Sequence, residues 1–434
     1  MNTRDGSFVV EGGRKLAGTI AASGNKNEAL PVLSACLLAG TPVRLSHMPL
    51  IGDVLVMADI LRGMGVAVTQ DAADPHAWTV SAATVAPEEM NTELFRKLRA
   101  TITLAAPLLH RCGTVRIPIP GGDKIGKRRI DTHLLALQEM GVTVIEEDNA
   151  YKLVCKDGLR GADIILDEAS VTGTENVAMA AVCARGATTI YNAACEPHVQ
   201  QLCRFLVSLG ARIEGIGTNR LAIQGVAGLG GAAHAVEPDY IEVGSFIGLA
   251  AATSSPLTIP CVPAGSVRMM LKAFQKLGIE TEWRGTDLHV PAGQARSIAS
   301  DFRGAVPKIE SAPWPGVPAD VISIMLVAAT QCSGTILIHE KLFESRLFFV
   351  DRLVSMGARI VLCDPHRAVV IGPSALHGER LTSPDIRAGV ALLIASLCAS
   401  GTSIIENSYM IDRGYERIDE RLNALGAKIA RSTS

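Results

Sequence analysis

No stretch of this chain stays apolar long enough to span a bilayer, although 48% of its 434 residues are hydrophobic. No basic segment followed by an apolar run opens it, so no secretory leader is expected. Neither sign of charge dominates. A net charge of −2 gives no electrostatic footprint for nucleic acid. The ten cysteines (Cys36, Cys112, Cys155, Cys183, Cys195, Cys203, Cys261, Cys332, Cys363 and Cys398) contain no Cys-x-x-Cys pair, which argues against a disulfide scaffold or a zinc site. Several sit in apolar helical stretches, where a free thiol behaves as a small hydrophobe. The expectation is a reduced, cytoplasmic protein with no metal or cofactor and no membrane or nucleic-acid partner.

What is present is a repeat. Gly63-Met64-Gly65-Val66, Glu139-Met140-Gly141-Val142, Ser208-Leu209-Gly210-Ala211, Lys276-Leu277-Gly278-Ile279, Ser355-Met356-Gly357-Ala358 and Ala424-Leu425-Gly426-Ala427 are one phrase, recurring every 68 to 79 residues. It reads as a helix ending on a glycine with positive φ, followed by a strand. A second phrase keeps the same beat: Ala39-Gly40-Thr41, Cys112-Gly113-Thr114, Arg185-Gly186-Ala187, Ser254-Ser255-Pro256, Ser333-Gly334-Thr335 and Ser400-Gly401-Thr402. Here an Ala/Leu-rich helix stops and a strand begins. The period is too long for a solenoid, so one supersecondary unit is used six times. Segments 29–38, 176–184, 243–252, 321–330 and 388–399 are apolar nearly all round, the mark of buried helices. Helices are therefore expected at the domain centres. The length calls for two domains, each of three repeats.

Against this background a few charged loops stand out. In Ser23-Gly24-Asn25-Lys26-Asn27-Glu28, small polar residues precede a helix whose open N–H groups favour an anion, and Lys26 adds a cation. The alternative is a capped helix with a solvated lysine. The segment 117–131 has two prolines, three glycines and four basic residues, Lys124, Lys127, Arg128 and Arg129, around Asp123. It reads as a mobile cationic loop, or else a solvated turn. Asp320 follows a proline-rich approach, Pro313-Trp314-Pro315-Gly316-Val317-Pro318, that fixes a carboxylate as a general base requires; the plainer reading makes it a helix N-cap. Arg346, Arg387 and Arg413 could each be surface ion pairs. Taken together with Lys26 and Arg128, they suggest a two-domain enzyme closing on a small polyanion.

The motifs Ser-Gly-x-Lys-Asn at 23–27, Pro-Gly-Gly-x-x-Ile-Gly-x-Arg at 120–128, Thr-Gly-Thr-Glu-Asn at 172–176, Pro-x-x-Pro-x-Asp at 315–320 and Ile-Asp-Arg-Gly-Tyr-Glu-Arg at 411–417 resemble the enolpyruvyl transferases. The resemblance runs the whole chain in order. It implies an α/β fold, the inside-out α/β barrel: one three-repeat domain at 26–236 with its catalytic loop at 118–131, and a second formed by 1–25 and 237–434. It also implies transfer of the enolpyruvyl group of phosphoenolpyruvate to the 3′-hydroxyl of UDP-N-acetylglucosamine, the first committed step of peptidoglycan synthesis, without a cofactor. By resemblance, Lys26, Arg128 and Arg413 hold phosphoenolpyruvate, with Arg346 and Arg387 nearby. The nucleotide-sugar site is then lined by Asn27, Arg99, Arg128, Arg129, Ile130, Asp131, Thr132, Glu168, Ala169, Ser170, Val171, Asp320 and Leu342. Asp320 is the implied base, Asp123 takes the place of the usual acid, and Asp385 assists proton transfer.

This sequence departs from the family pattern at four positions. Asp123 stands where most members carry the cysteine that fosfomycin alkylates, and Arg129 where proline is usual. Gly52 and Cys195 replace basic residues. These changes bear on the acceptor and leave two other readings open, a paralogue acting on another nucleotide or nucleotide sugar and a non-catalytic binding protein of the same fold. The sister enzyme making 5-enolpyruvylshikimate 3-phosphate is disfavoured. Its Asn-Ala-Gly-Thr signature is replaced by Leu94-Phe95-Arg96-Lys97-Leu98-Arg99-Ala100.

Overall fold

In the computed structural model, residues 6–123, 125–126 and 129–433 are described, apart from the side chains of Glu89 and Thr433. The sequence repeat becomes a repeated helix ending. The helices Gly52–Gly63, Asp131–Glu139, Pro197–Ser208, Ala264–Lys276, Val350–Ser355 and Ile418–Ala424 all stop one residue before an apolar cap and a glycine. Those glycines, Gly65, Gly141, Gly210, Gly278, Gly357 and Gly426, have φ between 70° and 110°. The N–H of the residue after each glycine donates to the carbonyl five positions earlier, Val66 to Leu61 and Ala427 to Leu422 for example, at 2.9–3.1 Å. This is the Schellman closure: it satisfies a helix-end carbonyl and brings two apolar side chains together. The second phrase behaves alike at Gly113, Gly186, Gly334 and Gly401, all with positive φ, and at Ser254. Gly40 lies outside the left-handed region.

Each helix ending feeds a sheet of the same design. In the sheet of Lys308–Glu310, Gly334–His339, Arg359–Asp364 and Arg367–Gly372, the first two strands pair parallel, the second pairs antiparallel with the fourth, and the fourth with the third. Five four-stranded sheets among the described residues follow this order, and a sixth has its last three strands. Three sheets borrow a strand from far along the chain, one of them setting Gly18–Thr19 parallel to Leu257–Ile259. Ala233–Ala235 lies parallel to Val43–Ser46, and Gly6–Glu11 sits between Thr402–Glu406 and Lys428–Thr433. Contacts divide the chain into an N-proximal unit, Gly24–Gly122 with Arg128–Glu237, and a C-proximal unit, Met1–Ser23, Asp123–Lys127 and Pro238–Ser434.

Helices fill each unit's centre, as the all-round apolarity of five of them predicts; the sixth, Ala105–Cys112, buries only its first five residues. The six are α1 (Lys26–Ala35), α2 (Ala105–Cys112), α3 (Val171–Ala181), α4 (Tyr240–Thr253), α5 (Ala319–Thr330) and α6 (Ile386–Cys398). In the C-proximal unit α4, α5 and α6 pack on one another; every residue of α4 is buried, and every residue of α5 except Asp320. Gly248 lets α4 and α5 approach closely, since a Cβ there would meet Ile324 Cγ2 at 2.3 Å. In the N-proximal unit α3 packs on α2 and on the 3₁₀ turn Ala100–Leu104 that leads into it, and α1 packs on the same turn. No helix among the described residues is long and apolar enough to cross a membrane.

Candidate active site

In the N-proximal unit the charged groups collect at the start of α1. Asn25 caps the helix, its side chain accepting from the Asn27 N–H at 2.9 Å. Lys26 is therefore the first helical residue. It is buried, and its Nζ lies 2.6 Å from Oδ2 of Asp53, in the first turn of the next helix. The solvated-lysine alternative is thereby removed: this ammonium is held in a fixed place by a buried carboxylate. Glu28 is fully buried and takes His234 Nε2 at 2.8 Å and the Glu237 N–H at 3.2 Å. Burial raises its pKa against the pull of His234.

The nucleotide-sugar candidates of this unit occupy two neighbouring helix starts. Arg99 Nη2 donates to the Arg129 carbonyl at 2.6 Å, and Arg129 pairs with Asp131 at the start of the helix Asp131–Glu139. Thr132 Oγ1 donates to Asp167 at 2.5 Å. Ser170 caps α3, accepting from Gly173 N–H at 3.2 Å, while its own N–H donates to the Glu168 carbonyl at 2.7 Å. Beneath them His133 is buried between Thr172 and Asn176, each 3.1 Å away. Burial, helped by the charge of Arg99, pushes the His133 pKa down to about 3. A neutral imidazole thus ties these two helix starts together. Glu168 is exposed; Ala169, Ser170 and Val171 are half-buried and Ile130 is buried. Arg128 lies outside the described residues.

In the C-proximal unit a second cluster surrounds Asp320. Its Oδ1 accepts from Arg346 Nη2 at 2.8 Å and its Oδ2 from Arg387 Nε at 3.1 Å. Both arginines are only 4% exposed, so the carboxylate is clamped between two buried cations. The N-cap reading of Asp320 is corrected here. Pro318 occupies the cap position, and Asp320 sits in the first turn with its side chain turned to the arginines. The capping aspartate is Asp385, whose Oδ1 accepts from the N–H groups of Arg387 and Ala388 at 2.9 Å, fixing the start of α6. Burial raises the Asp385 pKa, although Arg346 opposes it. Arg346 stacks 5.1 Å from the Phe343 ring, and its Nε–H is buried without an acceptor among the described residues. Arg413 Nη1 meets Asp123 Oδ1 at 2.5 Å, the two side chains 17% and 18% exposed. The chain beyond Asp123 is pinned by the Ser345 N–H donating to the Ile125 carbonyl at 3.1 Å, with Ile125 buried. Leu342 stands at the surface, its N–H on Glu340 Oε1 at 2.8 Å.

A sequence model of the family described as EPSP synthase (3-phosphoshikimate 1-carboxyvinyltransferase) matches residues 10–422. Curated relatives include the UDP-N-acetylglucosamine 1-carboxyvinyltransferase of Bradyrhizobium diazoefficiens, 54% identical over 427 residues, 98% of this chain and 97% of that one. The protein of the same name from Treponema denticola is 51% identical over 422 residues, 97% and 98% of the two chains. This chain belongs to the enolpyruvyl transferase family. Among solved structures, the enolpyruvyl transferase NikO from Streptomyces tendae superposes with a TM-score of 0.86 at 24% identity, covering 99% of each chain. EPSP synthase from Acinetobacter baumannii does so at 0.70 and 16%, covering 99% of this chain and 100% of that one. At those identities the structures speak for the enolpyruvyl transferase fold.

Within that fold, the residues singled out from sequence divide between the two units. Lys26, Asn27, Arg99, Arg129–Thr132 and Glu168–Val171 belong to the N-proximal unit; Asp123, Asp320, Leu342, Arg346, Asp385, Arg387 and Arg413 belong to the C-proximal unit. Sequence reasoning missed Asp53, whose only signal was an acid in the first turn of a helix that also carries Asp59 and Arg62. It also gave no role to Tyr415 or to the Glu28–His234 pair, because their partners are distant in sequence. Among the described residues no group of three or more His, Cys, Asp and Glu side chains could hold a metal ion.

Proposed function

We propose that this protein transfers the enolpyruvyl group of phosphoenolpyruvate to the 3′-hydroxyl of UDP-N-acetylglucosamine, releasing phosphate, in the cytoplasmic first committed step of peptidoglycan synthesis. The observation that carries this reading is the near-full-length identity, 54%, to a relative bearing that activity in its name. The chemistry is addition followed by elimination through a tetrahedral ketal. It needs a base for the sugar hydroxyl, an acid for the methylene carbon, and cations for phosphate and carboxylate. Asp320 is the base, oriented by two guanidinium groups so that both of its oxygens have fixed directions. Asp123 is the acid, carried beside the Arg413 cation that binds phosphoenolpyruvate. Lys26 and Arg128 supply further positive charge, and Arg346 brings a buried N–H in search of an acceptor. Asp385 keeps Arg387 and the start of α6 in register and lends its raised affinity for a proton to the transfer steps.

The decisive experiment is phosphate release measured with both substrates and with each omitted. Release that requires UDP-N-acetylglucosamine supports the reading. Release with UDP-glucose or UMP in its place would point to a different acceptor, and binding without release to a non-catalytic protein. With a carboxylate at position 123, the protein is also proposed to resist fosfomycin, because a carboxylate opens an unactivated epoxide far less readily than a thiolate.

A further inference from the structure

Behind Arg387 runs a hydrogen-bond chain whose direction is fixed by proton count. Arg387 Nη1 donates to the Tyr415 hydroxyl at 3.1 Å. A guanidinium only donates, so the phenol oxygen is the acceptor there, and its own proton must go elsewhere. The remaining partner is Ser245 Oγ on α4, at 2.6 Å. Ser245 in turn donates to the Ile241 carbonyl at 3.1 Å. Arginine, phenol, serine and helix carbonyl thus form a one-way series with each hydroxyl proton used once. All are buried, Tyr415 completely, and the Arg387 guanidinium carbon lies 5.4 Å from the Tyr415 ring centroid. The far side of the same guanidinium holds Asp320 Oδ2 through Nε.

We infer that Tyr415 is a positioning residue for the reaction, setting the orientation of the Asp320 base through Arg387. A planar guanidinium with one edge fixed on a phenol can present its other edge in one direction only, so the carboxylate oxygen it holds is aimed as well. The charged and titratable groups facing this assembly are Arg346 on Asp320, Asp385 at the start of α6, and Asp239 and Glu242 at the start of α4. None of these replaces the phenol as a neutral acceptor for Nη1. Without the hydroxyl, that buried N–H has no acceptor in place, and the guanidinium turns toward Asp239 to regain one, loosening its hold on Asp320.

This inference rests on the reading of Asp320 as the base, and the test separates the two. In Tyr415→Phe, kcat is expected to fall about tenfold while KM for UDP-N-acetylglucosamine stays near the wild-type value. The acid limb of the pH profile of kcat/KM should move upward by roughly one unit, because a carboxylate loses part of a cationic donor. Ser245→Ala, which keeps the phenol but removes its acceptor, should move the limb the same way by less, and it gives the same readout if the phenylalanine variant folds poorly. An acid limb unmoved or moved downward in both folded variants would overturn the positioning role. If Asp320→Asn itself retains turnover, the base assignment is what fails.

Discussion

The pairing of Lys26 with Asp53 permits a sharp test of how a buried cation is kept in place. The two charged atoms are 2.6 Å apart, with side chains 11% and 6% exposed. Replacing Asp53 by Asn keeps the shape and a hydrogen-bond acceptor but removes the compensating charge. Breaking a buried pair from one side costs about 3–5 kcal/mol, and the amide oxygen that remains places this variant near the lower end. For a folding unit of this size, 1 kcal/mol corresponds to roughly 2–4 °C in Tm, so a loss of about 3 kcal/mol in Asp53→Asn should bring unfolding of the N-proximal unit about 6–12 °C earlier in calorimetry. Phosphoenolpyruvate-dependent turnover should fall with it, since the ammonium is no longer anchored. The double variant Lys26→Met, Asp53→Leu separates the two effects. Removing both charges with similar volume should restore most of the stability and none of the activity. An Asp53→Asn protein that melts within 2 °C of wild type and turns over normally would refute the reasoning, as would a double variant that remains active.

Asp123→Asn should lose most phosphate release while UDP-N-acetylglucosamine binding by calorimetry persists; near-normal release would remove Asp123 from the mechanism. Asp123→Cys should stay active and become inactivated by fosfomycin in a time-dependent way, whereas the wild-type protein should show no adduct by mass spectrometry; a covalent adduct on the wild type with parallel loss of activity would contradict this. Gly141→Ala should cost about 1 kcal/mol in denaturant unfolding through backbone strain alone, because φ is 92° and a Cβ there meets nothing within 4 Å. Glu175 is fully buried, its Oε1 lacks a partner among the described residues, and burial with the charge of Glu196 raises its pKa well above 4.5. The folded state therefore holds this proton more tightly than the unfolded state. Stability should be greatest below pH 4.5 for this group and fall by up to roughly 1.4 kcal/mol per pH unit as pH rises toward the folded pKa. Glu175→Gln should accordingly raise Tm more at pH 8 than at pH 5, and an equal change at both would exclude this origin.

The six-fold phrase was readable because it rests on local chemistry. A glycine that must adopt positive φ, an apolar residue on either side of it and a following strand all lie within a few positions, and each of the six closes by the same backbone bond. The buried helices were equally plain, since a helix apolar on every face has nowhere to go but inside. Their ends were less legible: α1 begins at Lys26 and α3 at Val171, several residues before the apolar runs, because polar first turns belong to the helix as well. Which aspartate caps a helix could not be read at all. Asp320 and Asp385 both precede apolar helices in sequence, yet only Asp385 turns back onto its own backbone, and Asp320 is drawn away by Arg346 and Arg387, 26 and 67 residues further on.

The sequence by itself determined the repeat, the helix endings, the buried helices and the residue types that chemistry on a small polyanion requires, because each depends on neighbours within about a turn or on a motif read in order. Tertiary structure alone decided which charges meet. That Lys26 is matched by Asp53, that Asp320 lies between two buried arginines, that Asp123 rests on Arg413 from 290 residues away, and that Tyr415 stands behind Arg387 all depend on how segments far apart in the chain pack side by side. A charge buried against an apolar helix must find its partner wherever packing places one, and no local rule of sequence fixes that distance.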